Sequence, residues 1–118
     1  MTGLTTHVLD TSNGRPAAGM TVELWRRQND GEPILIKTVT TNADGRTDGP
    51  LLTENEVASG AYELRFHVAA YFQSQGTAQT APPFLDIVPV VFSIADTSEH
   101  FHVPLLVSPW SYATYRGS

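Results

Sequence analysis

Hydrophobic and polar residues alternate with a period of two along most of the chain, the spacing of strands that bury one face and wet the other. Tyr62, Leu64, Phe66 and Val68 fall on one side of such a run, with Glu63, Arg65 and His67 on the other. Met20, Val22 and Leu24 against Thr21 and Glu23 repeat the pattern. Residues 34–41, rich in β-branched side chains, predict another strand, and Val88, Val90, Phe92 and Ile94 a further one. Residues 4–11 read as the first strand, and 101–107 and 110–115 as two closing strands joined by a tight turn at Ser108-Pro109. Turn-forming clusters at 12–16, 29–31, 42–45 and 59–60 punctuate these runs. Only residues 69–75 predict a helix, stopped by Gly76 and followed by a loop to Pro83. Short strands at regular spacing predict an all-β, two-sheet sandwich with one short helix. Pro89 cannot donate to a strand ladder and places its strand at a sheet edge.

The 118 residues suit one domain spanning 1–118 and are too few for two. The longest apolar stretch, 87–92, is far short of the roughly 20 residues that span a bilayer, so a soluble protein is expected, with no membrane association. Twelve acids against seven bases give a net charge of −5, which argues against nucleic acid or an anionic membrane as partner. Charged residues are 16% of the chain, against roughly 25% in an average domain. That shortfall points to outer surface covered by a second subunit. The absence of cysteine excludes disulfides, thiolate catalysis and cysteine-based zinc sites. The first seven residues show neither a basic nor an apolar leader segment, so a cytoplasmic location is expected.

Candidate chemistry lies in the histidines, one arginine and the closing tail. His7 sits inside the first predicted strand, and an imidazole near its ordinary pKa of about 6.5 can accept or donate a proton at neutral pH. His100 and His102, two apart on a strand, share a face; a metal would find two ligands there and no third by spacing. Arg46 follows the turn 42–45, and its planar fork suits an oxyanion or a ureide carbonyl. Trp110, Tyr112 and Tyr115 run almost to the end of the sequence, an aromatic tail expected to seal the core or a subunit contact. No Gly-rich phosphate loop, Gly-x-Ser-x-Gly elbow or His-Glu-x-x-His is present.

Leu4-Thr5-Thr6-His7-Val8-Leu9-Asp10-Thr11, the stretch Gly45 to Leu52, His102-Val103-Pro104-Leu105-Leu106 and the closing Tyr115-Arg116-Gly117-Ser118 together resemble the transthyretin-like 5-hydroxyisourate hydrolases. The resemblance implies a transthyretin-type sandwich assembled as a homotetramer, a dimer of dimers. It further implies that His7, Arg46 and His102 are catalytic, and that Tyr115, Arg116, Gly117 and Ser118 bind substrate beside them at the dimer–dimer interface. The implied reaction opens the ring of 5-hydroxyisourate to 2-oxo-4-hydroxy-4-carboxy-5-ureidoimidazoline, with no metal or organic cofactor. On this reading one of His7 and His102 is the general base, the other orients water or substrate, and Arg46 binds substrate oxygens. His100 is a neighbour of that set. Ala113 stands where the family usually has serine. The alternatives are a transthyretin-type carrier of small ligands, which lacks the histidine–arginine set and the Tyr-Arg-Gly-Ser ending, and a structural adhesion-type sandwich.

Overall fold

A computed structural model describes residues 3–117. The chain runs β1 (Gly3–Asp10), β2 (Arg15–Pro16), β3 (Thr21–Arg26), β4 (Ile34–Thr40), β5 (Gly60–His67), α1 (Val68–Ser74), β6 (Ile87–Ile94), β7 (His100–Val107) and β8 (Tyr112–Thr114). Among the described residues the strands form two four-stranded sheets, ordered β2-β1-β7-β8 and β4-β3-β5-β6. All neighbours pair antiparallel except β1 and β7, the first and next-to-last strands, which run parallel.

The alternation seen in the sequence is the burial pattern of this sandwich. Leu4, Val8, Val22, Leu24, Tyr62, Leu64, Phe66, Val88, Leu105 and Val107 all point between the sheets, and Phe72 of α1 joins them. Each such large side chain contributes about 1.5–3 kcal/mol through the apolar surface it withdraws from water. Pro89 does sit on an edge strand, β6. Three details depart from expectation. Of the predicted strand 110–115 only Tyr112–Thr114 pairs, as β8. The last two residues of the turn at 12–16 pair with Leu9 and Asp10 as the short strand β2. The helix begins one residue early, at Val68, because the amide N–H groups of Val68 and Ala69 both donate to the Asp86 carbonyl, each at 3.0 Å.

The buried polar side chains of Thr6 and Asp10 are hydrogen-bonded. Thr6 donates to the Val103 carbonyl at 2.7 Å, tying β1 to β7. Asp10 accepts from the Tyr71 hydroxyl at 2.7 Å and from Asn13, which pins α1 to the far end of β1. Burial works to raise the Asp10 pKa, but the bonds from Asn13 and Tyr71 outweigh it and the carboxyl ends below its ordinary value. Burial and that same carboxylate push Tyr71 up to about 12, so it stays a neutral donor.

The inward parity of β1 and β7 fixes what faces outward. Even-numbered β1 residues are buried while Thr5 and His7 are only partly so; on β7, Phe101, Val103 and Leu105 are buried while His100 and His102 are partly open. The parallel register sets Thr5 opposite His102 and Gly3 opposite His100. Residues almost a hundred positions apart therefore share one patch on the outer face of the first sheet.

Candidate active site

Arg46 is carried to this patch by a turn built on one side chain. The Asn42 carboxamide oxygen accepts from the N–H groups of Asp44 at 2.9 Å and Arg46 at 3.2 Å, while the Asn42 N–H donates to the Arg46 carbonyl at 2.7 Å. Such asparagine-capped turns hold their backbone without needing a strand partner. Gly45, at φ +75°, then lies flat against β1: the Val8 N–H donates to its carbonyl at 2.8 Å, and a Cβ there would run into the Val8 carbonyl oxygen. The result is an isolated antiparallel bridge between His7 and Arg46, with a second between Leu4, three residues earlier on β1, and Leu52.

The other flank is closed by the chain end. The Gly117 N–H donates to the His102 carbonyl at 2.7 Å, bridging the tail to β7. A Cβ on Gly117 would stand 2.7 Å from His102 Cδ2, so the imidazole lies directly on the glycine and any side chain there would displace the ring. The glycine at 117 is thus a packing requirement of His102. Arg116 is anchored alongside, its guanidinium 3.3 Å from the His100 carbonyl, 3.5 Å from a Glu99 oxygen and 4.2 Å above the Phe101 ring.

Between these flanks opens a cleft of about 520 Å³, lined by Thr5, Thr6, His100, His102, Arg46 and the turn Thr47–Pro50. Arg46 and His102 meet there. His7 stands at its border, paired to Arg46 through the backbone, with its ring turned to donate from Nε2 to the Asp44 carbonyl at 2.9 Å. Tyr115 and Arg116 line a separate apolar recess of about 220 Å³ between β6 and the tail. Ser118 lies outside the described residues. Within one chain the aromatic tail does not seal the core: Trp110, Tyr112 and Tyr115 are 54%, 44% and 60% exposed.

Arg46 brings a fixed positive charge to the cleft, whose lining also includes Asp48. Among the described residues no acid pairs with the Arg46 guanidinium. Burial above all, then the charge of Arg46 and the proximity of His7 and His100, holds the His102 pKa below its ordinary 6.5. At neutral pH His102 is therefore an uncharged imidazole facing a fixed positive charge. A carbonyl oxygen gathering negative charge beside that guanidinium is stabilised, and water held near an imidazole lone pair can lose a proton.

Two contributors escape a reading of the sequence. Thr5 bonds both β7 histidines through its hydroxyl, at 2.8 Å to His102 Nδ1 and 3.2 Å to His100 Nε2. In the sequence it is one of two adjacent threonines, and only its parity with His7 marks it as outward-facing. The Asp44 carbonyl, a backbone acceptor, leaves no sequence signal at all.

Comparison with known proteins agrees with the fold. The profile of the HIUase/Transthyretin family matches residues 4–117. The 5-hydroxyisourate hydrolase of Halalkalibacterium halodurans is 58% identical over 115 residues, covering 98% of this chain and 97% of that protein. Among solved structures, Klebsiella pneumoniae 5-hydroxyisourate hydrolase superposes with a TM-score of 0.78 at 34% identity, covering 98% of both chains. Sea bream transthyretin in complex with thyroxine superposes with a TM-score of 0.85 at 30% identity, covering 97% of this chain and 93% of the other. The chain belongs to the HIUase/Transthyretin family.

Proposed function

We propose that this protein is a hydrolase that opens the ring of 5-hydroxyisourate to 2-oxo-4-hydroxy-4-carboxy-5-ureidoimidazoline, a step of urate breakdown in purine catabolism. The observation that carries the reading is the meeting of Arg46 and His102 in one cleft, with His7 held to Arg46 by a backbone bridge. Full-length likeness to proteins named for that activity supports it.

Hydrolysis of a cyclic amide adds water oxygen to the carbonyl carbon, breaks the ring C–N bond and returns a proton to the departing nitrogen. The step needs a base for the water, a donor for the oxyanion and a proton for the nitrogen. His7 and His102 divide the proton and orientation work, and Arg46 clamps the substrate oxygens. Tyr115, Arg116, Gly117 and Ser118 bind and enclose the substrate once the dimers associate; within the single chain Tyr115 and Arg116 face the neighbouring recess. Support for the tail comes from the anchoring of Gly117 to His102 and of Arg116 to His100. The chain acts as one domain, 1–118, in a cytoplasmic homotetramer built as a dimer of dimers. The low charge fraction and the exposed aromatic residues of the β8 edge are what such an assembly would cover. No membrane or nucleic-acid partner enters this reading; among the described residues no helix is long and apolar enough to cross a membrane.

The test is direct. 5-Hydroxyisourate is generated from urate with urate oxidase, and its ultraviolet decay is followed with and without the protein. Acceleration well above spontaneous decay is expected; tight binding without acceleration would mean a ligand carrier instead. The same assay carries a pH prediction. Because the His102 pKa is depressed, its neutral form persists as pH drops to 6.5, so protonation of His102 lowers kcat/KM only in more acid solution. A rate that rose as His102 became protonated would contradict a neutral imidazole at work.

A further inference from the structure

Which proton each imidazole carries is decided by a hydroxyl that has only one hydrogen to give. Thr5 Oγ1 stands between His102 Nδ1, at 2.8 Å, and His100 Nε2, at 3.2 Å. It can donate to one ring and accept from the other, or accept from both; in the last case its own hydrogen finds no acceptor among the described residues, which leaves two arrangements that use it. If it donated to His100, that ring's hydrogen would move to Nδ1, which is buried and has no partner among the described residues. A buried N–H without an acceptor is the rarer and costlier defect. If it donates to His102, His100 keeps its hydrogen on Nε2 and gives it to Thr5, and nothing buried is left as an unpaired donor. The distances agree, since O–H donation gives shorter contacts than N–H donation.

We propose that Thr5 and His100 are positioning residues that fix the tautomer of His102, so that His102 offers an Nε2–H donor, and no lone pair, to the substrate in the cleft. This rests on the hydrolase reading and deepens it. Nδ1 of His102 is occupied by the Thr5 hydroxyl, and Nε2 bonds to no described residue. A neutral imidazole cannot give up its last proton at neutral pH, so His102 acts by hydrogen bonding to the developing oxyanion beside Arg46. Proton transfer then falls to His7. Its Nε2–H is committed to the Asp44 carbonyl, which can only accept, and its lone pair is on Nδ1. The water proton goes to that nitrogen as the oxygen bonds the carbonyl carbon, and the same proton passes to the ring nitrogen as the C–N bond breaks.

The experiment is long-range 1H–15N NMR of the whole protein labelled at histidine, without substrate and at neutral pH, on wild type, Thr5→Ser and Thr5→Val. The His102 signals are assigned by their loss in His102→Asn. Wild type and Thr5→Ser should show the shifts of a protonated Nε2 and a bare Nδ1, and Thr5→Val a mixture. In the decay assay Thr5→Val should lose kcat by about 10- to 100-fold with little change in KM, and Thr5→Ser should recover most of it. A protonated Nδ1 in wild type overturns the proposal even if Thr5→Val fails to fold, as does a Thr5→Val protein with unchanged tautomer and kcat. A protonated Nε2 in a protein that does not open the ring would leave the positioning intact and sink the hydrolase reading alone.

Discussion

Replacing His102 with Asn lowers turnover of 5-hydroxyisourate by on the order of 10²-fold or more, and replacing His7 with Asn does the same, while both proteins stay folded and assembled. Both rings sit on the outer face of the first sheet, away from the contacts among Leu4, Val8, Phe101 and Val103 that hold it to the second. Their removal therefore opens no core cavity, and the stability cost is that of a few partly exposed hydrogen bonds, about 1 kcal/mol each. Asn is the sharper substitution at both sites because its carboxamide keeps polarity and some hydrogen bonding while abolishing the ring. The measurement is the initial rate of ultraviolet decay, with circular dichroism and sedimentation as controls on fold and assembly. Near wild-type rates in both variants would remove the imidazoles from the mechanism.

Gly45→Ala is expected to damage stability and activity together. The residue at 45 needs φ +75°, where an alanine costs about 1–2 kcal/mol. Its Cβ would also meet the Val8 carbonyl oxygen, with Pro16 Cβ at 3.1 Å and the Ala17 nitrogen at 3.2 Å leaving no room to turn away. Relief requires the segment to lift off β1, which breaks the Val8–Gly45 hydrogen bond and the His7–Arg46 bridge. Strain plus the lost bond come to about 3 kcal/mol, a fall in Tm of about 10 °C in a domain of this size. Lifting the segment also moves the Arg46 guanidinium, and a displacement of about 1 Å can cost on the order of 10² in rate. Gly19→Ala is the control: φ is +80° there but nothing lies within 4 Å of the added Cβ, so only the strain is felt. Thermal unfolding at fixed protein concentration separates the two, and equal losses in both variants would mean that the close approach to β1 has no energetic weight.

The parts of the fold legible in the sequence are those where burial acts on consecutive residues. β1, β3, β5, β6 and β7 each present a core face to one side and water to the other, so the period of two appears directly in Leu4–Thr6–Val8 or Tyr62–Leu64–Phe66. The turn holding Arg46 was visible because Asn42 and Gly45 have local conformational reasons to be there. What joins His7 to His102 was not visible, since the parallel pairing of β1 with β7 links residues almost a hundred apart and no local pattern encodes it. Nor do periodicity and composition distinguish Thr5 from Thr6; one faces two imidazoles and the other the Val103 carbonyl purely through strand parity. The resemblance supplied the gathering of His7, Arg46 and His102 as an expectation, and the bridges at His7–Arg46 and His102–Gly117 are the physical means by which these three positions are tied to their neighbours.

The central claim is that the cleft on the outer face of the first sheet is where the ring is opened. Crystals of the protein with a non-hydrolysable oxopurine analogue of the substrate test it most directly. The account predicts the analogue seated against Arg46 and His102 within hydrogen-bond distance of both, with Gly117 beneath the His102 ring. An analogue bound on the other sheet, for instance in the polar cavity beside Arg26 and Arg27, with nothing in the Arg46–His102 cleft, would contradict it.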